Sequence, residues 1–178
     1  MNISILYPLD KIGKKLCERL QEEWEEVYCD ESMVRGEKYL DIRIKDKNSD
    51  IIRILNSAGV INNCINRDLV SSILNMNRIS YDNLANELIN RYYEIAIFDL
   101  QTVYIRTRIN KAGQKFKYIK ESENSKIVEV AKKVVHLLGL DFACITIALT
   151  AKRKIKVMKI NSAPVLRERD INSIVKRI

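Results

Sequence analysis

A chain of 178 residues has room for one domain, or for two small lobes sharing a core. Its composition, 47% hydrophobic and 30% charged, is the ordinary balance of a soluble globular protein, and no apolar run is long enough to span a bilayer. A net charge of +8 favours an anionic partner, whether a phosphate-bearing small molecule, a nucleic acid or an acidic protein.

The N-terminus, Met1 to Pro8, lacks the basic flank and long apolar stretch of a signal peptide, so a cytoplasmic protein with no membrane partner is expected. Cys17, Cys29, Cys64 and Cys144 are scattered, with no C-x-x-C pair and a single histidine, His136. Metal-ligand spacing is therefore absent, and reduced thiols packed as small hydrophobes are expected.

Asn2 to Leu6 reads as a buried strand closed by Pro8. From Lys11 to Glu26, Ile12, Leu16, Leu20 and Trp24 recur at helical spacing, with charges on the other face. Val27 to Cys29 and the alternating run Tyr39 to Lys45 read as strands. Ser49 is placed to cap a helix through Ser57, with Gly59 as its stop, and Val60-Ile61-Asn62 is a brief strand. Asn66 can cap a helix over Arg67 to Met76, striped by Leu69, Ile73 and Met76. The alternation of strands and helices favours a small α/β layer with a mainly parallel sheet.

Asp82 to Arg91 reads as another short helix, with Leu84 and Leu88 inward. Strand-like runs follow at Ile95–Leu100 and Thr102–Ile109, then a turn at Lys111-Ala112-Gly113 from which Phe116 to Ile119 can pair back as a hairpin. Ser122 is a candidate cap for the helix Lys126 to Leu138, striped by Ile127, Val130, Val134, Val135 and Leu138 and stopped by Gly139. Strands Phe142–Leu149 and Ile155–Asn161 form a second hairpin across the basic turn Ala151 to Lys154. A helix over Glu168 to Lys176 ends the pattern. The polar stretch Asn77 to Asn83 divides this into lobes 1–80 and 81–178, α/β then α+β.

Two strings carry a family likeness. Leu138-Gly139-Leu140-Asp141-Phe142-Ala143-Cys144-Ile145-Thr146 resembles the L-G-L-D-F-G-x-x-D of ATP-grasp carboxylate–amine ligases. Val157-Met158-Lys159-Ile160-Asn161-Ser162-Ala163-Pro164 resembles their V-x-E-x-N-x-x-P, at a matching distance across a hairpin. Upstream, Val103 to Arg108 is similar to the family strand bearing a phosphate-directed arginine, and Ala58 to Asn62 to part of the preceding lobe. The RimK-like and spore-coat-associated YheC/YheD-like branches are the nearest in kind. The resemblance is dense from Glu129 to Pro164, and it implies a small Rossmann-like pre-ATP-grasp lobe followed by an ATP-grasp C-terminal lobe.

It also implies ATP and magnesium as cofactors, with metal ligands at the positions of Thr146, Lys159 and Asn161. Of these only the asparagine keeps the family residue. Magnesium demands hard anionic oxygens. An ammonium about 4 Å from a cation is repelled by several kcal/mol at an intermediate dielectric. The lid with its glycine-rich, lysine-bearing loop also finds no counterpart in the short stretch between Ser80 and Ile95, in a chain with five glycines. The expectation is a lid-less, degenerate scaffold: a binding, regulatory or structural protein rather than a ligase.

Arg106, Arg108, Thr146, Lys159 and Asn161 are the candidates for an anion or nucleotide site. Lys159 either occupies the cation's place and binds a phosphate or carboxylate directly, or reaches to solvent from an unconstrained position. Two alternatives stand beside this reading. One is an ATP-dependent ligase with an atypical metal site or a lid supplied by a partner. The other, ranked lower, is a nucleic-acid module built on Lys111, Lys115, Lys117 and Lys120 with Tyr104, Phe116 and Tyr118. The acidic run Glu22 to Glu26 sets the first lobe apart in charge and favours a partner or self-association surface, and loss of the lid, by exposing apolar surface, favours self-association or pairing with an intact homologue. His136 is expected as a helix-surface residue, and Asp141 as a structural turn residue.

Overall fold

A computed structural model describes residues 2–34, 36–45, 52–55, 67–81, 87–111, 113–161 and 166–176. The chain forms two compact units, Met1–Ser57 with Val165–Ile178, and Ala58–Pro164. This division differs from lobes 1–80 and 81–178. The helix Arg67–Met76 belongs to the second unit, and the last helix returns to the first.

The first unit contains β1 (Asn2–Pro8), α1 (Lys11–Glu23), β2 (Val27–Val34), β3 (Glu37–Ile44) and β4 (Ile52–Leu55), in sheet order β2-β3-β1-β4. Only β1 and β4 run parallel, and the β1–β3 and β2–β3 pairs are antiparallel. The mainly parallel sheet is therefore corrected. The reason is the direct β2–β3 hairpin around Gly36, whose φ of 82° is open to glycine. Where a helix was expected through Ser57, Ile52–Leu55 is a strand, since its β-branched run suits the extended backbone beside β1. Residues 56–66, with the expected strand at Val60 and the Asn66 cap, lie outside the described residues.

Asp10 caps α1, its Oδ1 accepting the Gly13 N–H at 2.7 Å. Leu16, Cys17 and Leu20 are its buried side, and Ile42, Ile44, Tyr7 and Ile5 are buried in the same unit. The last helix, α4 (Glu168–Val175), packs against α1 and adds buried Ile171, Ile174 and Val175. Cys17 and Cys29 form a disulfide that joins α1 to β2, which corrects the expectation of reduced thiols for this pair. The spacing that excluded a metal site said nothing about a helix folding back onto the next strand. Cys144 remains a free, buried thiol, as expected.

The second unit contains α2 (Arg67–Met76), β5 (Ile89–Phe98), β6 (Gln101–Ile109), β7 (Lys117–Tyr118), α3 (Ser125–Leu137), β8 (Phe142–Thr150) and β9 (Ile155–Asn161). Its antiparallel sheet runs β7-β6-β5-β8-β9. Alternate residues Tyr93, Ile95, Ile97, Ile105, Ile145 and Ile147 bury one face of the sheet in a core shared with α2 and α3. The α2 stripe is Val70 and Leu74 with Ile73, whereas Leu69 and Met76 are 41% and 85% exposed. The expected stripe thus lay to one side of the buried one.

The expected helix over Asp82–Arg91 is also corrected. Leu88 is exposed and Ile89–Arg91 already belongs to β5, because Ile89 pairs with Thr150 and Arg91 with both Ile109 and Leu149. Residues 82–86 lie outside the described residues. Gly139 ends α3 as expected, with φ 62° and its N–H donated to the His136 carbonyl.

Candidate functional site

The antiparallel register sets five residues in one row across the sheet of the second unit. Tyr118 pairs with Arg106, Arg106 with Glu94, Glu94 with Thr146, and Thr146 with Lys159. Cross-strand partners share a face, and this face lies opposite the helical core. On one side of the row lie Tyr104, Ala96, Cys144 and Asn161; on the other, Arg108, Tyr92, Ala148 and Lys156. All five sequence candidates, Arg106, Arg108, Thr146, Lys159 and Asn161, therefore occupy one face.

Simple alternation places Val157, Lys159 and Asn161 together, and the structure corrects this. The register shifts between Thr146 and Ile147, so that Thr146 pairs with Lys159 while Ile147 pairs with Val157. Met158 is the extra residue of a β-bulge. Val157 stays buried in the core, and Lys159, itself exposed, lies on the opposite face.

The arginines are held by aromatic rings and one carboxylate. Arg106 Nη2 lies 2.8 Å from Glu94 Oε2 and donates to Tyr104 Oη at 3.0 Å. Its guanidinium sits 4.4 Å from the Tyr104 ring centroid and 5.8 Å from that of Tyr118. Burial opposes its charge, but Tyr104 and Glu94 outweigh burial, and Arg106 holds its proton more tightly than usual. Arg108 lies 5.0 Å from the ring centroids of both Tyr92 and Phe116, with no carboxylate in ion-pairing reach among the described residues. The Nε of each arginine is buried without a hydrogen-bond partner.

Tyr104 in turn donates to Cys144 Sγ at 3.6 Å. Burial, reinforced by Cys144, raises the phenol well above the usual tyrosine range. Burial also pushes the Cys144 thiol up to about 11, despite the opposing Tyr104 hydrogen bond. Neither group is an acid–base catalyst near neutral pH.

Magnesium and the residues present do not fit. Thr146 and Lys159 offer a neutral hydroxyl and an ammonium, and the row's single carboxylate, Glu94, is engaged by Arg106. Among the described residues, no group of three or more His, Cys, Asp or Glu side chains could hold a metal ion.

Sequence reasoning missed Glu94, Tyr92, Glu87 and Lys156. Alternation against buried Tyr93 and Ile95 was the signal for Tyr92 and Glu94. Lys156 is buried, with its Nζ 3.1 Å from Glu87 Oε1, a pairing that no local pattern announces. Lys111, Lys115, Lys117 and Lys120 are exposed, but Tyr104 is buried, and Phe116 and Tyr118 flank the arginines. His136 is exposed on α3.

No family model matches the chain. No curated protein matches it. Among solved structures, the ATP-grasp ligase PsnB complexed with precursor peptide PsnA2 and AMPPNP superposes with a TM-score of 0.62 at 9% identity, over 96% of this chain and 97% of that one. The macrocyclase MdnB from Microcystis aeruginosa MRC gives 0.57 at 10% identity, over 96% and 91%. PsnB complexed with a minimal precursor gives 0.54 at 10% identity over 71% of this chain, which spans 66% of that chain's length. No helix among the described residues is long and apolar enough to cross a membrane. At such identities the likeness is one of architecture, and the fold of this chain is that of the ATP-grasp ligases.

Proposed function

We propose that the chain is an ATP-grasp derivative without ligase activity, a binding or regulatory protein that takes an anionic ligand at the exposed Lys159, on the face of its second sheet opposite the helical core. The observation that carries this reading is the row Arg106–Glu94–Thr146–Lys159. Its carboxylate neutralises one cation, and Lys159 stands exposed at the far end of the row. A lysine placed this way attracts a phosphate or carboxylate as a point charge. PsnB was solved with a precursor peptide and AMPPNP. Peptide carboxylates and nucleotide phosphates are therefore the anions to try first.

ATP, ADP and inorganic phosphate are titrated into the purified chain, with and without magnesium, while ATP turnover is followed. Expected are no magnesium-dependent turnover, anion-induced NMR shifts at Lys159, and loss of those shifts in Lys159→Glu. Magnesium-dependent turnover by the chain alone, or no response near Lys159 to any anion, sinks the reading.

The ligase alternative draws on the fold likeness over 96% of the chain. It predicts turnover that appears when an intact homologue is added. The nucleic-acid reading is weakened by the aromatic residues already committed to Arg106 and Arg108. It requires salt-dependent binding that Lys115→Glu with Lys117→Glu abolishes.

A further inference from the structure

The edge strand of the first sheet is built to accept another strand. β2 is outermost in the order β2-β3-β1-β4 and pairs with β3 in unbroken register from Val27↔Ile44 to Val34↔Glu37. At eight residues it is long for an edge. Edges are usually blunted by charged side chains, above all lysine, or by proline, a bulge or shortness; β2 has no lysine, proline or bulge, and its charges are the acids Asp30 and Glu31. On the side away from β3, the Val27 carbonyl meets only the Gln21 side chain, at 3.5 Å. Among the described residues, no backbone bond covers Tyr28 to Val34 on that side.

The charge of the segment that carries this edge is reversed relative to the rest of the chain, although Lys38, Arg43 and Lys45 stand beside it on and after β3. Between Gln21 and Val34 stand Glu22, Glu23, Glu25, Glu26, Asp30 and Glu31, with no lysine or arginine, in a chain of net charge +8. Asp30 lies directly across from Asp41 on β3, and like charges in that relation repel. Arg43 ion-pairs with Asp30 and reaches Asp41 at 3.8 Å. Glu31 has no ion pair among the described residues. Tyr28 and Met33 are 45% and 65% exposed on the same strand, offering apolar contact at either end.

We infer that β2 is a docking edge for an extended basic peptide, which adds as a fifth strand with lysine or arginine beside Asp30 on one face or Glu31 on the other. Main-chain hydrogen bonds supply the affinity and the acidic side chains select the charge. The Cys17–Cys29 bond anchors β2 to α1, so less backbone freedom is lost on binding. A second copy is the poorer occupant, because the same edge meeting itself brings Asp30 and Glu31 against their own counterparts.

The test is an amide NMR titration of the full chain with an alternating lysine–valine peptide as long as β2. Two comparison peptides are its glutamate–valine counterpart and the lysine peptide N-methylated at alternate amides. Expected are shifts concentrated at Tyr28 to Val34 with the lysine peptide, and none with either comparison peptide. Asp30→Lys with Glu31→Lys weakens the lysine peptide by about tenfold. Unchanged amide positions in β1 and β3 verify that this variant is folded, and the methylated peptide tests the idea without any variant. Equal binding of the methylated peptide reduces the effect to loose charge attraction and overturns the inference. So do shifts lying elsewhere, no binding at all, or β2 shifts that follow protein concentration without peptide.

Discussion

At the scale of single residues, the face of the second sheet opposite the helical core is organised by what Arg106 touches. The side chains of Arg106 and Glu94 are 11% and 25% exposed, so their pairing is more than a solvent-screened contact. Replacing Glu94 by alanine leaves a mostly buried guanidinium with only the Tyr104 and Tyr118 side chains for company. A destabilisation of about 1–3 kcal/mol is expected from urea unfolding. The double change Glu94→Ala with Arg106→Met costs less than the sum of the single changes, since it removes the stranded charge as well. Additive losses would show that the pair contributes nothing beyond packing. Arg106 could be picked from the sequence because Val103 to Arg108 resembles the ATP-grasp strand that carries a phosphate-directed arginine. Alternation against Tyr93 and Ile95 sets Glu94 on the other face, but its pairing with Arg106 is legible only once β6 is laid beside it.

At the scale of elements, legibility followed the source of each element's stability. The helix α3 and the hairpin β8–β9 were readable within a residue or so, because apolar period, Gly139 and the turn are local signals. The strand β4 and the opening of β5 were misread as helix, since short apolar runs take the conformation of the neighbour they pair with. The β9 bulge was invisible for the same reason: a register shift exists only between two strands. It alone separates Lys159 from the core-facing Val157, so the candidate site depends on a feature that periodicity cannot supply. The disulfide is another non-local contact. It closes a separation of 12 residues, for which loop-closure entropy gives roughly 3 kcal/mol. Reductant, or Cys29→Ser, is expected to lower the first unit's unfolding free energy by about that amount. Trp24, the chain's single tryptophan, lies in that unit and reports the transition by fluorescence.

At the scale of the whole molecule, chain order and spatial order part company. The segment from Val165 onward rejoins the first unit, and Tyr7 is one of the groups that receive it. Its hydroxyl accepts the Leu166 N–H at 3.2 Å from the opposite end of the sequence, and the Tyr7 side chain is almost wholly buried. Burial pushes the phenol from 10.0 up to about 12, with the Leu166 hydrogen bond opposing the rise. The folded state thus holds this proton more tightly than the unfolded chain does. That contribution is complete below pH 10.0 and is lost as the pH climbs to about 12, on the order of 2 kcal/mol. Trp24 fluorescence in denaturant titrations between these limits is expected to show the first unit weakening. Tyr7→Phe should flatten that slope, and below pH 10.0 it should cost about 1–3 kcal/mol, because the buried Leu166 N–H loses its acceptor. An unchanged alkaline slope in Tyr7→Phe would assign the loss to other groups and remove Tyr7 as the clasp between the two ends of the chain.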